Sequence, residues 1–281
     1  MKPPLISACV ISYNQEEFIS ETIQSVINQN LSCDYEIVVG DDCSTDQTPL
    51  IIAEFAESDD RIRVLANDGN LGMHRNWART IAACRGKYIA ICEGDDVWLD
   101  MKKLQHQVDI LEKNPNVSAC FSNATIIDSK GIKAEYPYVD QPYNIVDAEQ
   151  FMKLHFNPIP TCTIVFRSTL FNGFPSAYYQ SPFADWILHA ILIQQGDYFY
   201  FPEITSAYRQ HEGGVWTGLE EEKQLLNKLV ALKTIKLLVR ETLQSSVNEA
   251  TKKHLDKLLY YYRNQKNWIG YYSTWFKLKT L

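Results

Sequence analysis

A chain of 281 residues with 46% hydrophobic and 22% charged side chains has material for one large core and a small appended element, which excludes a disordered or low-complexity protein. The net charge of −7 is uneven, because residues 251–281 carry seven Lys or Arg against Asp256 alone, a local +6 that leaves −13 on the rest; an acidic body lacks the basic track that long nucleic acid requires. Seven cysteines (Cys9, Cys33, Cys43, Cys84, Cys92, Cys120, Cys162) without CxxC spacing read as reduced thiols in a cytoplasmic compartment, Pro3 and Pro4 stand where a secretory signal would begin its apolar stretch, and no run reaches the roughly 18 apolar residues of a membrane span.

The continuous apolar run at 5–12, ended by Tyr13 and Asn14, predicts a buried parallel strand. Phe18, Ile19, Thr22, Ile23, Val26 and Ile27 then have the spacing of an amphipathic helix over 16–29. A second strand is expected over 35–39, a helix over 46–57 with Pro49 tolerated in its first turn, and a third strand over 62–65. Turn chemistry at 67–70 leads into a helix from Gly72 to Cys84, stopped by Gly86. A fourth strand at 88–92 runs into Glu93-Gly94-Asp95-Asp96; a helix at 101–112 and a fifth strand at 117–121 follow. Residues 128–157, with Gly131, Pro137 and Pro142, read as an irregular loop over the site. Beyond them come a strand at 161–166, a helix at 185–195, extended chain from Phe199 toward His211, a leucine-rich helix over 220–243 and an aromatic, basic tail. This alternation predicts an α/β fold with a doubly wound, mostly parallel sheet, whose ligands bind at the carboxyl ends of the strands. Tyr13-Asn14, Gly40-Asp41-Asp42 and 93–96 all end strands and therefore converge on one edge.

No GxGxxG follows the first strand and no GxxxxGK[ST] occurs, so neither a dinucleotide fingerprint nor a P-loop is supported. Acids follow the strands instead. Asp41 at a strand end suits hydrogen bonds from a nucleobase imide or a ribose hydroxyl, although Asp42, Ser44 and Asp46 also fit a turn that caps the next helix. Three acids in four residues at 93–96 crowd like charges, which favours a hard divalent cation and a diphosphate there; a solvated acidic turn is the bland alternative.

VISYNQEEFISETIQSVINQ, EIVVGDDCSTDQT and NLGMHRNWARTIAACRGKYIAICEGDDVW, in that order, resemble the inverting family 2 glycosyltransferases of GT-A fold, strongly over about 4–125 and more weakly to about 215. The resemblance implies a nucleoside-diphosphate sugar donor, UDP-sugar ahead of dTDP- or GDP-sugar, and Mn²⁺ or Mg²⁺. It implies a base contact at Asp41, a nucleotide loop at Ser12 and Asn14, and a DxD-like motif at Glu93 and Asp95 followed by Asp96. Metal ligands would come from Asp95, Asp96 and His211, with either aspartate as the direct ligand; Glu93 departs from the usual Asp. His211, in YRQHEGG, resembles a histidine that meets the metal or diphosphate, with Gly213 and Gly214 permitting loop motion; a packing histidine is the alternative. Asp185, preceded by Ala184 rather than an acid, resembles the catalytic base; a cap for the helix starting at Trp186 is the alternative. Arg75 and Arg209 could meet phosphate or form surface ion pairs, and Trp98 and Trp186 could stack on a sugar or fill the core.

The expected organisation is a GT-A domain over 1–218 and a helical, basic-aromatic extension over 219–281. The extension suits either packing onto the catalytic domain or peripheral contact at the inner face of a membrane. The expected activity is sugar transfer to a hydroxyl of a glycan or lipid-linked acceptor, in cell-surface polysaccharide biosynthesis. A sugar-phosphate nucleotidyltransferase and a non-catalytic nucleotide- or carbohydrate-binding protein are the alternatives.

Overall fold

The computed structural model describes residues 3–135, 145–214 and 218–279, and the backbone groups them into two compact units. The first unit comprises Met1–Val146, Pro158–Phe174 and Gln195–His211. In chain order it contains β1 (Ile6–Ser12), α1 (Ile19–Ile27), β2 (Tyr35–Asp41), α2 (Thr48–Ser58), β3 (Ile62–Val64), α3 (Met73–Ala83), β4 (Tyr88–Glu93) and β5 (Val97–Trp98). It continues with α4 (Lys103–Lys113), β6 (Val117–Asp128), β7 (Gly131–Glu135), β8 (Ile145–Val146), β9 (Val165–Arg167) and β10 (Asp197–Arg209). The strands form one sheet in the order β3-β2-β1-β4-β9-β6-β10-β5, with β7 beside β6 and β8 beside β10. Pairing is parallel through β3-β2-β1-β4 and between β6 and β10; β9 is antiparallel to both its neighbours.

Every residue of β1 and β2 is buried, Ser7, Glu36 and Asp41 included, as strands covered on both faces require. The core of this unit joins Ile6, Ala8 and Val10 to Ile23 and Val26 of α1 and to Leu104 and Val108 of α4. Ser7 is buried beneath it, donating to Glu36 Oε1 and accepting from the Gly86 N–H.

The observed elements depart from the periodicity in instructive ways. Of the strand expected at 161–166, only Val165–Arg167 is extended, and Thr161–Thr163 form a 3₁₀ turn in which Thr163 Oγ1 bonds the Pro160 carbonyl. The fifth strand is twelve residues long rather than five, since its second half pairs with β7. The irregular region expected over 128–157 holds β7, β8 and a short helix, while 136–144 lie outside the described residues.

The second unit comprises Asp147–Asn157, Pro175–Gln194 and Glu212–Leu281, so contacts group two segments from before residue 218 with the helices after it. It contains α5 (Ala148–Met152), α6 (Ala184–Leu192), α7 (Glu221–Leu238), α8 (Gln244–Asn264) and α9 (Trp268–Lys279). A capping box opens α5: Asp147 accepts from the Gln150 N–H, and the Gln150 side chain accepts from the Asp147 N–H. Leu229, Leu255, Leu258 and Tyr262 form the apolar seam between α7 and α8. Among the described residues no helix is long and apolar enough to cross a membrane.

Candidate active site

The register of β1 decides the geometry of the rim. Ile11 lies opposite Gly40 of β2 on one side and Glu93 of β4 on the other, and Ser12 lies opposite Asp41. The carboxyl ends of the three strands therefore share one edge. Asp41 is 8% exposed; its carboxylate accepts from the Ser12 hydroxyl (3.0 Å), the Ser44 N–H (2.9 Å) and the Ser44 hydroxyl. Asn14, held at a φ of 52°, ties the first loop to the second, because its N–H donates to Ser44 Oγ and its Oδ1 accepts from the Thr45 N–H, both at 2.8 Å. Ser12, Asn14 and Asp41 thus form one hydrogen-bonded group, with Ser44 and Thr45 added.

Asp42 faces a different task. Its two carboxylate oxygens accept from the Leu71 and Gly72 N–H groups, both at 2.8 Å, and so anchor the entry to α3. Asp46 accepts from the Thr48 N–H at the start of α2, in keeping with the capping alternative. Two residues that the motifs did not single out, Asn76 and Arg79, sit one turn apart on α3 and brace the rim from below. Asn76 Nδ2 donates to the Gly40 carbonyl (2.7 Å), Arg79 Nη2 to the Asp41 carbonyl (2.6 Å), and Arg79 Nε to Asn76 Oδ1.

Across β1, the turn at 93–96 is pinned to the sheet by the Gly94 N–H, which donates to the Ile11 carbonyl at 2.8 Å. A Cβ at position 94 would stand 2.8 Å from Ser12 Cβ, so this approach requires glycine. Thr22 of α1, another residue without a motif signal, directs its hydroxyl at the Gly94 and Asp96 carbonyls (2.9 and 2.8 Å). Glu93, half-buried, ends β4 opposite Ile11.

The two aspartates diverge. Asp95 has a partly exposed carboxylate whose Oδ2 lies 3.0 Å from His211 Nε2, and the His211 ring packs on Phe18 with centroids 4.8 Å apart. Asp96 is 1% exposed; its Oδ1 accepts from the Arg209 N–H at 2.9 Å, while its Oδ2 has no hydrogen-bond partner. Burial, then the charge of Asp95, raises the Asp96 carboxyl well above the usual range, against the lowering effect of Arg209. Arg209 is the strap of this region: its Nε donates to the Asp95 carbonyl, its Nη2 pairs with Glu21, and its guanidinium lies over the Phe18 ring at 4.9 Å. Of its two sequence readings, the ion pair is the one observed.

In the second unit, Asp185 occupies the first turn of α6. Its Oδ1 accepts from the Trp186 N–H and its Oδ2 from Asn157 Nδ2, both at 2.7 Å. Trp98 and Trp186 are both buried, and Trp98 Nε1 donates to the Cys162 carbonyl, so both serve the core. Arg75 is exposed on α3.

Among the described residues no three His, Cys, Asp or Glu side chains group as a metal cage. The Asp95–His211 pair nevertheless fits a divalent cation of the Mg²⁺ or Mn²⁺ type: one carboxylate and one imidazole touch at the rim, and such ions commonly complete their shells with water and substrate phosphate.

Comparisons with known proteins agree with this architecture. An uncharacterized protein of Mycobacterium tuberculosis is 35% identical over 215 residues, which cover 75% of this chain but 60% of that relative, so the chain spans under two thirds of its length. An Escherichia coli UDP-Glc:alpha-D-GlcNAc-diphosphoundecaprenol beta-1,3-glucosyltransferase is 35% identical over 173 residues, covering 60% of this chain and 63% of that protein. Among solved structures, Staphylococcus aureus TarS in complex with UDP superposes with a TM-score of 0.66 at 16% identity over 92% of this chain and 73% of that one. The Pyrobaculum calidifontis mannosyltransferase PcManGT, in complex with GDP-Man and Mn²⁺, gives 0.65 at 15% identity over 91% and 73%. The fold is therefore GT-A-like. The family described as Glycosyl transferase family 2 matches residues 7–172, more than half of the chain, with the rim of β1, β2 and β4 inside the match, and the chain belongs to that family.

Proposed function

We propose that the chain is an inverting glycosyltransferase that moves a sugar from a nucleoside-diphosphate sugar to a hydroxyl of a glycan or lipid-linked acceptor in cell-surface polysaccharide synthesis. The observation that carries this reading is the convergence at one strand edge of the Ser12–Asn14–Asp41 group with the Glu93–Asp96 turn, joined through β1. In this reading the nucleoside lies against Asp41, Ser12 and Asn14, which Asn76 and Arg79 hold in place. Glu93 stands beside the ribose or diphosphate. Asp95 and His211 would hold Mn²⁺ or Mg²⁺, which when bound supplies a positive charge that offsets the leaving diphosphate. The partly exposed carboxylate of Asp95 favours it over Asp96 as the direct ligand, and buried Asp96 orients the turn through Arg209.

Displacement at the anomeric carbon requires a carboxylate that takes the acceptor hydroxyl's proton, the role assigned to Asp185. Hydrogen bonds from Asn157 and from the Trp186 N–H hold that carboxylate in place. The glucosyltransferase from E. coli is named for a UDP-Glc donor and a diphosphoundecaprenol-linked acceptor, which supports a UDP-sugar first and a lipid-linked acceptor here. Peripheral membrane contact belongs to the same reading, since α9 exposes Trp268, Ile269, Tyr272 and Phe276 at helical spacing.

The test is thermal denaturation with UDP-, GDP- and dTDP-sugars, with and without Mn²⁺. One nucleotide series is expected to stabilise the protein by several degrees in a cation-dependent way, and Asp95→Ala is expected to lose the cation dependence. Equal response to all series, or to none, contradicts the proposal.

A further inference from the structure

The Asp95–His211 pair joins two segments that lie far apart in the chain. Asp95 stands in the turn after β4, and His211 lies just past the end of β10, where the Gln210 N–H donates to the Ile127 carbonyl at 2.8 Å. The sheet therefore sets the backbone that leads to His211, but not the rotamer of its imidazole. Both side chains are partly exposed, so neither is locked by burial.

The first turn of α1 meets both segments. Phe18 caps that helix and Glu21 follows three residues later, which places the ring and the carboxylate on one face. The His211 ring packs on the Phe18 ring, with centroids 4.8 Å apart and planes inclined by 55°. The Arg209 guanidinium lies over the same ring, 4.9 Å from its centroid, where the negative face of the aromatic system attracts it. From there Arg209 Nε donates to the Asp95 carbonyl at 2.8 Å and Nη2 to the Glu21 carboxylate at 2.5 Å. One half-buried ring thus touches His211 directly and the backbone of Asp95 through Arg209.

The ring is itself anchored on both sides. The Phe18 N–H donates to the Gln15 carbonyl at 2.9 Å, and the Gln15 N–H to Thr48 Oγ1 at 2.8 Å. One turn later, Thr22 holds the Gly94 and Asp96 carbonyls. A cation held by one carboxylate and one imidazole binds more tightly when both stand in place beforehand, because ordering either side chain is otherwise subtracted from the binding free energy.

We propose that Phe18 is a positioning residue of the cation site, fixing the His211 imidazole by direct packing and the Asp95 turn through the Arg209 guanidinium that rests on its ring. This rests on the reading of Asp95 and His211 as the cation pair. A ring that only filled space would affect stability; a positioning ring affects cation affinity in a protein that remains folded.

Electron paramagnetic resonance titration of the full chain with Mn²⁺ alone tests the role, with urea denaturation of each variant as the check on folding. Phe18→Leu keeps an apolar side chain but removes the ring. It is expected to weaken Mn²⁺ binding about tenfold, the order that follows when a metal-binding side chain loses its supporting contact. Phe18→Tyr, which keeps the ring, is expected to restore the parent affinity. In the metal-free protein, the imidazole nitrogen signal of His211, assigned by its absence from His211→Ala, is expected to move in Phe18→Leu and to return in Phe18→Tyr. Arg209→Lys keeps the charge but removes the bond from Nε to the Asp95 carbonyl; it is expected to weaken Mn²⁺ binding similarly, and it carries the test if Phe18→Leu does not fold. Mn²⁺ binding that is lost in Asp95→Ala but unchanged in folded Phe18→Leu or in Arg209→Lys overturns the proposal alone, as does failure of Phe18→Tyr to restore it. Absence of Mn²⁺ binding by the parent chain overturns the cation reading and the role of Phe18 with it.

Discussion

Asp185 and Glu36 show how carboxylates of similar appearance in a sequence acquire different work. The Asp185 carboxylate accepts from Asn157, and in the proposed role of general base it would contribute roughly 10²–10⁴-fold to rate. Asp185→Asn is expected to lower kcat by that order while nucleotide affinity stays nearly intact; kcat unaltered in steady-state assays eliminates Asp185 as the base. Glu36, 5% exposed in β2, is structural. Burial pushes its pKa up, but hydrogen bonds from the Arg85 side chain, Ser7 and the Arg85 N–H outweigh this and hold it below the ordinary carboxylate value. Because the folded pKa is the lower one, the stabilisation is present above the unfolded value near 4.5 and is lost as pH falls through the folded value. Glu36→Gln removes the charged partner of Arg85 and Arg63, while Arg63 keeps its bond to the Ala83 carbonyl, and is expected to lower the urea denaturation midpoint at pH 7. The variant is also expected to show a weaker loss of stability on acidification below pH 4.5 than the parent.

At the scale of elements, the rim depends on how closely the 93–96 turn approaches β1. Gly94→Ala places a methyl 2.8 Å from Ser12 Cβ and 3.2 Å from the Ile11 carbonyl, contacts that only a shift of the turn relieves. A destabilisation of about 1–3 kcal/mol is expected, together with weaker nucleotide binding by titration, since the same turn carries Asp95. Stability and affinity both unchanged would show that the turn tolerates displacement. The aromatic face of α9 supports a second expectation. Vesicles containing anionic lipid are expected to co-float the protein, and Trp268→Ser together with Phe276→Ser to reduce the bound fraction severalfold. Undiminished flotation of the double variant removes α9 as the contact.

Over the whole molecule, the doubly wound half of the sheet was legible because its signals are local. Unbroken apolar runs at 6–12 and 88–92, each followed by polar turn residues, specify buried parallel strands whose ends lie together. Of the residues named for the candidate site, Ser12, Asn14 and Asp41 form one hydrogen-bonded group, and Asp95 meets His211 across more than a hundred residues of chain. Asn76, Arg79 and Thr22 were not legible, because their role is to bond backbone carbonyls, and any polar side chain on a helix carries that capacity. The extended chain expected from Phe199 toward His211 is β10, but its ladder with β6 was not legible, because it passes through bulges that break the period of two.

The sequence by itself determined the α/β class, the succession of the first strands along the chain and the acids at their ends, since these follow from residue periodicity and turn chemistry. Only the tertiary structure decided between neighbouring groups. Asp95 and Asp96 are adjacent and chemically identical, yet one stays at the surface beside His211 and the other is buried against Arg209. The difference arises because a turn sends successive side chains in different directions, and the partner that receives each one comes from β10 or just beyond it, residues that no local pattern connects to the turn.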